Sequence, residues 1–175
     1  MQNSFAPTPA VGRFDGGMSQ LLRGDGQGHF TPVAAAESGL LVPGDAKALV
    51  VVDFNHDGWP DFVVSRNNDS ALAFENRLHA TNVKTHSVAV TLLGNQNLPT
   101  AVGAHVTAAY ADGHTATEDV SAGSGYESQS TNTLFFGWIE ATPIREFTVR
   151  WPDGRISHHL RSANSTTQER FSEPP

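Results

Sequence analysis

Nine consecutive residues constrain this chain more than any other feature. Asp53-Phe54-Asn55-His56-Asp57-Gly58-Trp59-Pro60-Asp61 carries oxygen side chains at loop positions one, three, five and nine. Calcium is a hard cation that takes about six to eight oxygen ligands, and a tight loop can turn alternate side chains toward one point. Gly58, at position six, permits the positive-φ turn that brings the backbone round such an ion. Trp59, at position seven, offers its backbone carbonyl rather than its indole, and Pro60 stiffens the return toward Asp61. Carboxylates crowded into one short loop repel each other strongly without a cation between them. The same residues also suit a plain Asp/Asn/Gly turn between two strands. The ordered spacing favours calcium, with Asp53, Asn55, Asp57, Trp59 and Asp61 as ligands. The loop is not an EF-hand, because strands flank it and no Glu closes it.

The flanking residues read as short strands broken by Gly, Asn, Asp and Pro. Ser19 to Leu22 and Phe30 to Val33 enclose the glycine-rich Gly24-Asp25-Gly26-Gln27-Gly28 as a hairpin. Ala34 to Glu37 suits one helical turn between Pro32 and Gly39. Ala48 to Val52 is apolar without alternation, which suggests a strand buried on both faces. Phe62 to Val64, a turn at Asn67-Asn68-Asp69-Ser70, and Ala71 to Phe74 complete a blade-like series. The polar stretch Asn76 to Thr85, which holds His79, reads as a linker between regions 1–78 and 79–175.

Beyond it Val88, Val90 and Leu92 alternate with small or polar residues, as in a half-buried strand. Val106 to Tyr110 and Thr115 to Val120 are joined by Asp112-Gly113, a strong hairpin signal. Phe147, Val149 and Trp151 share one strand face and Glu146, Thr148 and Arg150 the other. Pro152-Asp153-Gly154 then turns the chain into Ile156 to Leu160. The fold class is therefore all-β: partial propeller blades followed by a small antiparallel sandwich or barrel.

Charge and composition narrow the function. With 18 Asp+Glu against 11 Lys+Arg and a net charge of -7, the chain is a poor partner for nucleic acid. The absence of cysteine excludes disulfides, thiolate metal sites and cysteine nucleophiles. No apolar run approaches the roughly 20 residues that span a bilayer. The start Met1-Gln2-Asn3-Ser4-Phe5 shows no signal peptide, so either the protein stays inside or the chain is a mature or trimmed piece, and the resemblance given below favours the second.

Val50 through Val64, with the Asp-rich loop at its centre, resembles the FG-GAP or VCBS repeat of integrin-type β-propellers. That resemblance implies calcium held by Asp53, Asn55, Asp57 and Asp61, with Trp59 at the carbonyl position. Asn55 replaces the more usual Asp and removes one charge. Gly24 to Phe30 is similar to the hairpin that closes a preceding blade. Val102-Gly103-Ala104-His105-Val106, Gly123 to Gln129, Phe135-Phe136-Gly137 and Val149 to Arg155 resemble the ASPIC/UnbV domain. That domain follows FG-GAP repeats in cartilage-acidic-protein-like secreted proteins. Trp138-Ile139 stands where the family usually has Leu-Gly, which implies an altered turn after Gly137. About one and a half blades are present, where a closed propeller needs at least four. The expectation is a fragment or a unit completed by a partner.

Other chemistry is weakly marked. Arg23-Gly24-Asp25 spells an integrin-recognition tripeptide but lies in a hairpin the blade already needs. His158 and His159 are strand neighbours facing opposite ways, and an exposed position is expected for each. His56 is expected in solvent at a non-ligand position. Glu118-Asp119 and Glu127 could form a glycosidase pair only in a shared cleft. Ser124 lacks a nucleophile elbow. Trp138, Trp151 and Tyr126 could stack on sugar, though a core role is the commoner use. Asn68-Asp69-Ser70 and Asn164-Ser165-Thr166 fit glycosylation sequons. The expected function is a non-enzymatic calcium-binding module, extracellular or at the cell surface, that binds a protein or glycan. A polysaccharide-acting enzyme and a homo-oligomeric ring or filament are the alternatives.

Overall fold

The computed structural model describes residue 10 and residues 18–78, 84–161 and 166–175. It is almost entirely β-structure, with one short helix among the described residues. Two compact units emerge: residues 1–50, 62–74 and 125–128 form the first, and 51–61, 75–124 and 129–175 the second.

In the first unit, β1 (Leu21–Gly24) and β2 (Phe30–Val33) form an antiparallel two-stranded hairpin across the glycine-rich turn. The single turn α1 (Ala35–Ser38) follows and stops at Gly39, whose φ of 69° supplies the left-handed cap. A three-stranded sheet then runs in the order β3 (Ala46–Val52), β4 (Asp61–Arg66), β5 (Asp69–Phe74). Leu40, Val42, Ala46 and Val64 make its small core, with Leu49, Leu72 and Phe74 packed against them. The apolar run at Leu49 to Val52 is not buried on both faces. Only Ala46 of β3 is fully buried, because β3 is an end strand of a small sheet and the rest of it is half-covered.

The second unit is a sandwich. One sheet is antiparallel throughout, in the order β11 (Ile156–Leu160), β10 (Ile144–Arg150), β7 (His105–Tyr110), β8 (Thr115–Asp119). Asp112-Gly113 closes the β7–β8 hairpin, with Gly113 at φ 92°. The other sheet is β12 (Gln168–Ser172), β6 (Thr85–Leu93), β9 (Leu134–Ile139). Here β6 and β9 are antiparallel, whereas β12 lies parallel to β6, so the sandwich departs from the expected all-antiparallel arrangement. The inner faces meet in one core. Val88, Val90, Phe136 and Phe171 pack against Val106, Phe147, Val149 and Trp151. Phe147 bridges the layers, its ring 5.3 Å from Phe136 and 5.7 Å from Phe171.

Several local expectations change. β6 is more buried than an ordinary half-exposed strand: Ser87 and Ala89, on the face away from the core, are 4% and 3% exposed. β9 runs on through Trp138 and Ile139, and the chain turns only afterwards, with Thr142 N–H donating to the Ile139 carbonyl at 2.9 Å. Tyr126 is 65% exposed rather than core. His159 is half-buried, stacked at 3.9 Å on Phe171, while His158 is exposed and pairs with Glu146 at 2.7 Å. The linker expectation falls partly on residues 79–83, and the sequon at Asn164 on residues 162–165, outside the described residues.

Candidate metal centre

The loop between β3 and β4 is organised by its own acidic side chains. Asp53 accepts the Asp57 N–H on Oδ1 at 3.0 Å and the Gly58 N–H on Oδ2 at 2.9 Å. Those two bonds draw the loop's apex back over its first residue, a turn that Gly58 permits with φ 86°. Asp57 Oδ1 accepts the Trp59 N–H at 2.8 Å, and its Oδ2 takes the Asn55 side-chain amide at 3.0 Å. Asp61 Oδ2 accepts the Phe54 N–H at 3.2 Å and Oδ1 the Asn76 N–H at 2.8 Å. The carboxylates therefore serve as acceptors for the backbone donors of the loop, and the Asp57 N–H is shared with Asn55 Oδ1 at 3.2 Å.

Burial grades across the loop. Asn55 and His56 are exposed, Asp53 and Asp57 are half-covered, and Gly58, Trp59 and Asp61 are buried. His56 sits in solvent as expected, with its backbone at φ 60°. Asp61 is 0% exposed, yet among the described residues no Lys, Arg or His forms an ion pair with Asp61 or Asp53. Among the same residues no group of three or more His, Cys, Asp or Glu side chains stands gathered as a metal-holding cluster.

The loop belongs with the second unit, and its surroundings there are specific. A carbon added at Gly58 would meet the Thr167 carbonyl oxygen at 2.6 Å and the Thr167 Cβ at 2.8 Å. Gln168 Nε2 donates to the His56 carbonyl at 3.2 Å. Trp59 and Pro60 help line a cavity of about 460 Å³ that reaches Ser87 on β6. Val52, Asp53 and His56 help line another of about 620 Å³ that reaches Ala89 and Thr91. Two residues before the loop, Val51 donates its N–H to Ser130 Oγ and accepts from Thr131 N–H, each at 3.0 Å.

The chain is similar to two sequence families in tandem. Residues 10–64 match the FG-GAP-like repeat, and residues 94–169 match ASPIC and UnbV. Both are non-catalytic structural modules. No curated protein matches the chain. Among the described residues no helix is long and apolar enough to cross a membrane.

The remaining candidate residues do not gather into a reactive site. Glu118 has its carboxyl raised by burial and by the neighbouring Asp119 charge, but Asp119 pairs with His105. Ser124 Oγ accepts the Ser130 N–H at 2.7 Å, a structural bond in a loop. Trp151 is core, its Nε1–H bound to Ser157 Oγ at 2.9 Å. Trp138 is half-buried, with His86 stacked at 5.3 Å and the Arg161 guanidinium 4.3 Å from its ring. In the hairpin, Arg23 pairs with Glu37 at 2.9 Å, and Asp25 accepts the Gln27 N–H at 2.7 Å. That backbone bond and the His29 contact hold the Asp25 carboxyl below its ordinary range.

Three structural residues had no sequence signal: Asn76, which caps Asp61 through its backbone, and Thr167 and Gln168, which meet the loop. Their roles rest on backbone atoms or on a contact more than 100 residues away in sequence.

Proposed function

We propose that this chain is a calcium-stabilised, non-catalytic interaction module acting outside the cell or at its surface. The observation that carries the reading is Asp61. A carboxylate with no exposure is costly unless its charge is matched, and two backbone N–H dipoles supply only part of that match. A divalent cation between Asp53, Asn55, Asp57, the Trp59 carbonyl and Asp61 would supply the rest. The donor chemistry fits, since every candidate ligand is an oxygen. The existing hydrogen bonds are no obstacle, because each ionised carboxylate offers about four lone-pair sites. A bare turn would use the same Asp and Gly residues and would bury Asp61 to cap Phe54 and Asn76, but it would leave the charge of that carboxylate only partly matched.

The cation's part is structural: it offsets the repulsion within the loop and fixes its shape. Calorimetric titration with calcium tests this, alongside a magnesium control. The expected result is one saturable site per chain. Absence of binding heat at millimolar calcium, with the protein shown folded, would overturn the reading.

The interaction part of the proposal draws on the first unit. Every residue of β1 is exposed and β2 is nearly so, with Leu22 at 50% and Phe30 at 65%. A two-stranded hairpin is marginal alone in water, and this one offers apolar side chains for a protein partner rather than a sugar platform. The order of the two segments is the one found in cartilage-acidic-protein-like secreted proteins, which supports the extracellular setting.

A further inference from the structure

The Asp-rich loop has a second task in the geometry of the C-terminal strand. β12 is the only parallel strand of its sheet and contributes a single buried side chain, Phe171. Its other edge carries no strand in that sheet. The strand is anchored at its far end, where Glu173 pairs with Arg155 at 2.7 Å and accepts the Asn95 N–H at 2.8 Å, so its entrance at Thr167 and Gln168 is the end left for another element to hold.

The loop sits at the entrance to that strand. The Thr167 carbonyl accepts the Ala89 N–H at 2.9 Å and so opens the β12–β6 ladder. That same carbonyl lies where a Gly58 side chain would begin, at 2.6 Å. Such closeness is possible only because Gly58 has no Cβ. The next residue, Gln168, reaches back to the His56 carbonyl at 3.2 Å. Behind these contacts Ser87 and Ala89 are buried on the face of β6 turned away from the core, and each lines a cavity shared with loop residues. The loop thus faces the same two cavities as this side of β6.

We infer that the loop between β3 and β4 is a clamp on β12, and that a cation bound in the loop tightens it. The second half of this statement rests on the calcium reading above. Asp53 bonds to Asp57 and Gly58 hold the loop apex in its bent form, and Gly58 is the residue that meets Thr167. A cation that fixes Asp53 and Asp57 therefore fixes the position of the Thr167 contact. The C-terminal strand becomes responsive to calcium without holding any ligand itself.

Hydrogen exchange on the 175-residue chain, read over residues 168–172, tests the clamp. Gly58→Ala is compared with Gly113→Ala, since Gly113 has a similar φ of 92° but nothing within 4 Å of an added carbon. Both variants suffer the same backbone strain, and only the first strikes Thr167. The expected result is exchange about tenfold faster in residues 168–172 for Gly58→Ala, and no change there for Gly113→Ala. Gln168→Ala, a milder change that keeps the loop glycine, is expected to give a smaller increase in the same segment. Equal exchange in all the variants and the parent chain would overturn the clamp. Adding chelator to the parent chain is expected to accelerate the same amides. If calorimetry shows calcium bound while chelator leaves residues 168–172 unchanged, the coupling is wrong and the calcium site stands. If calorimetry shows no calcium, the site itself is wrong.

Discussion

The backbone N–H of Asn76 donates to Oδ1 of the fully buried Asp61 at 2.8 Å. This bond closes the end of the loop. Its counterpart, Phe54 N–H on Oδ2, holds the start of the same loop. Asp61→Ala strands both donors. An unsatisfied buried group costs about 1–3 kcal/mol, and since both donors are only partly buried the variant should lose about 1–3 kcal/mol in total. Denaturant midpoints at saturating and zero calcium check it. A loss below about 0.5 kcal/mol would show that the two donors find water instead.

Removing the cation should act on the same loop. With calcium at about 100-fold its dissociation constant, native-state binding adds about 2.7 kcal/mol. Excess chelator should therefore lower the Tm of the parent chain, and Asp57→Ala should lower it with little further response to chelator. Identical melting curves for the parent with and without chelator would contradict the calcium reading.

The sandwich core offers a test free of metal. Phe147 is 1% exposed and touches Phe136 and Phe171 from the opposing sheet. Phe147→Ala should cost about 3–5 kcal/mol through lost burial and a residual cavity. Tryptophan fluorescence should report it, because Trp151 lies in the same core. Calcium should not rescue this variant beyond its effect on the parent.

A pH response should come from His159. Its imidazole is held below the ordinary value of 6.5, first by burial, then by the neighbouring His158, with Glu169 opposing. Ser157 Oγ accepts the Trp151 Nε1–H at 2.9 Å and lies 2.9 Å from His159 Nε2, which ties the ring to the core side of the strand. The unfolded chain protonates this imidazole more readily than the folded one, so stability contributed here is complete above pH 6.5. It declines as pH falls below that value toward the lowered folded-state pKa. Urea midpoints between about pH 7.5 and 5 should fall for the parent and flatten for His159→Gln. Parallel profiles would assign the acid response to another group.

Much of this fold was written locally. Asp112-Gly113 announced its hairpin, and Phe147, Val149 and Trp151 announced a buried face by alternation. The oxygen spacing of the loop singled out Asp53, Asn55, Asp57 and Asp61 as calcium ligands, but not the backbone N–H groups that the carboxylates accept. β12 was silent, because Gln168 to Ser172 holds one apolar residue and its pairing with β6 spans about 80 residues of sequence. The run Leu49 to Val52 spoke too loudly. Apolar content signals a preference for cover, but the position of a strand in its sheet decides how much cover there is.

The parallel register of β12 on β6 has a consequence in time. A chain made from its N-terminus presents β6 well before residues 168–172 exist, and β9 can claim only one edge of it. The other edge must wait through the synthesis of more than 70 residues with its N–H and C=O groups open. Pairings this distant in sequence form slowly, and an open edge is where two nascent chains can join by mistake. Crowded ribosomes, high expression and slow translation of the segment that carries β12 should therefore favour aggregates held through β6, whereas refolding of the 175-residue chain at high dilution should be clean.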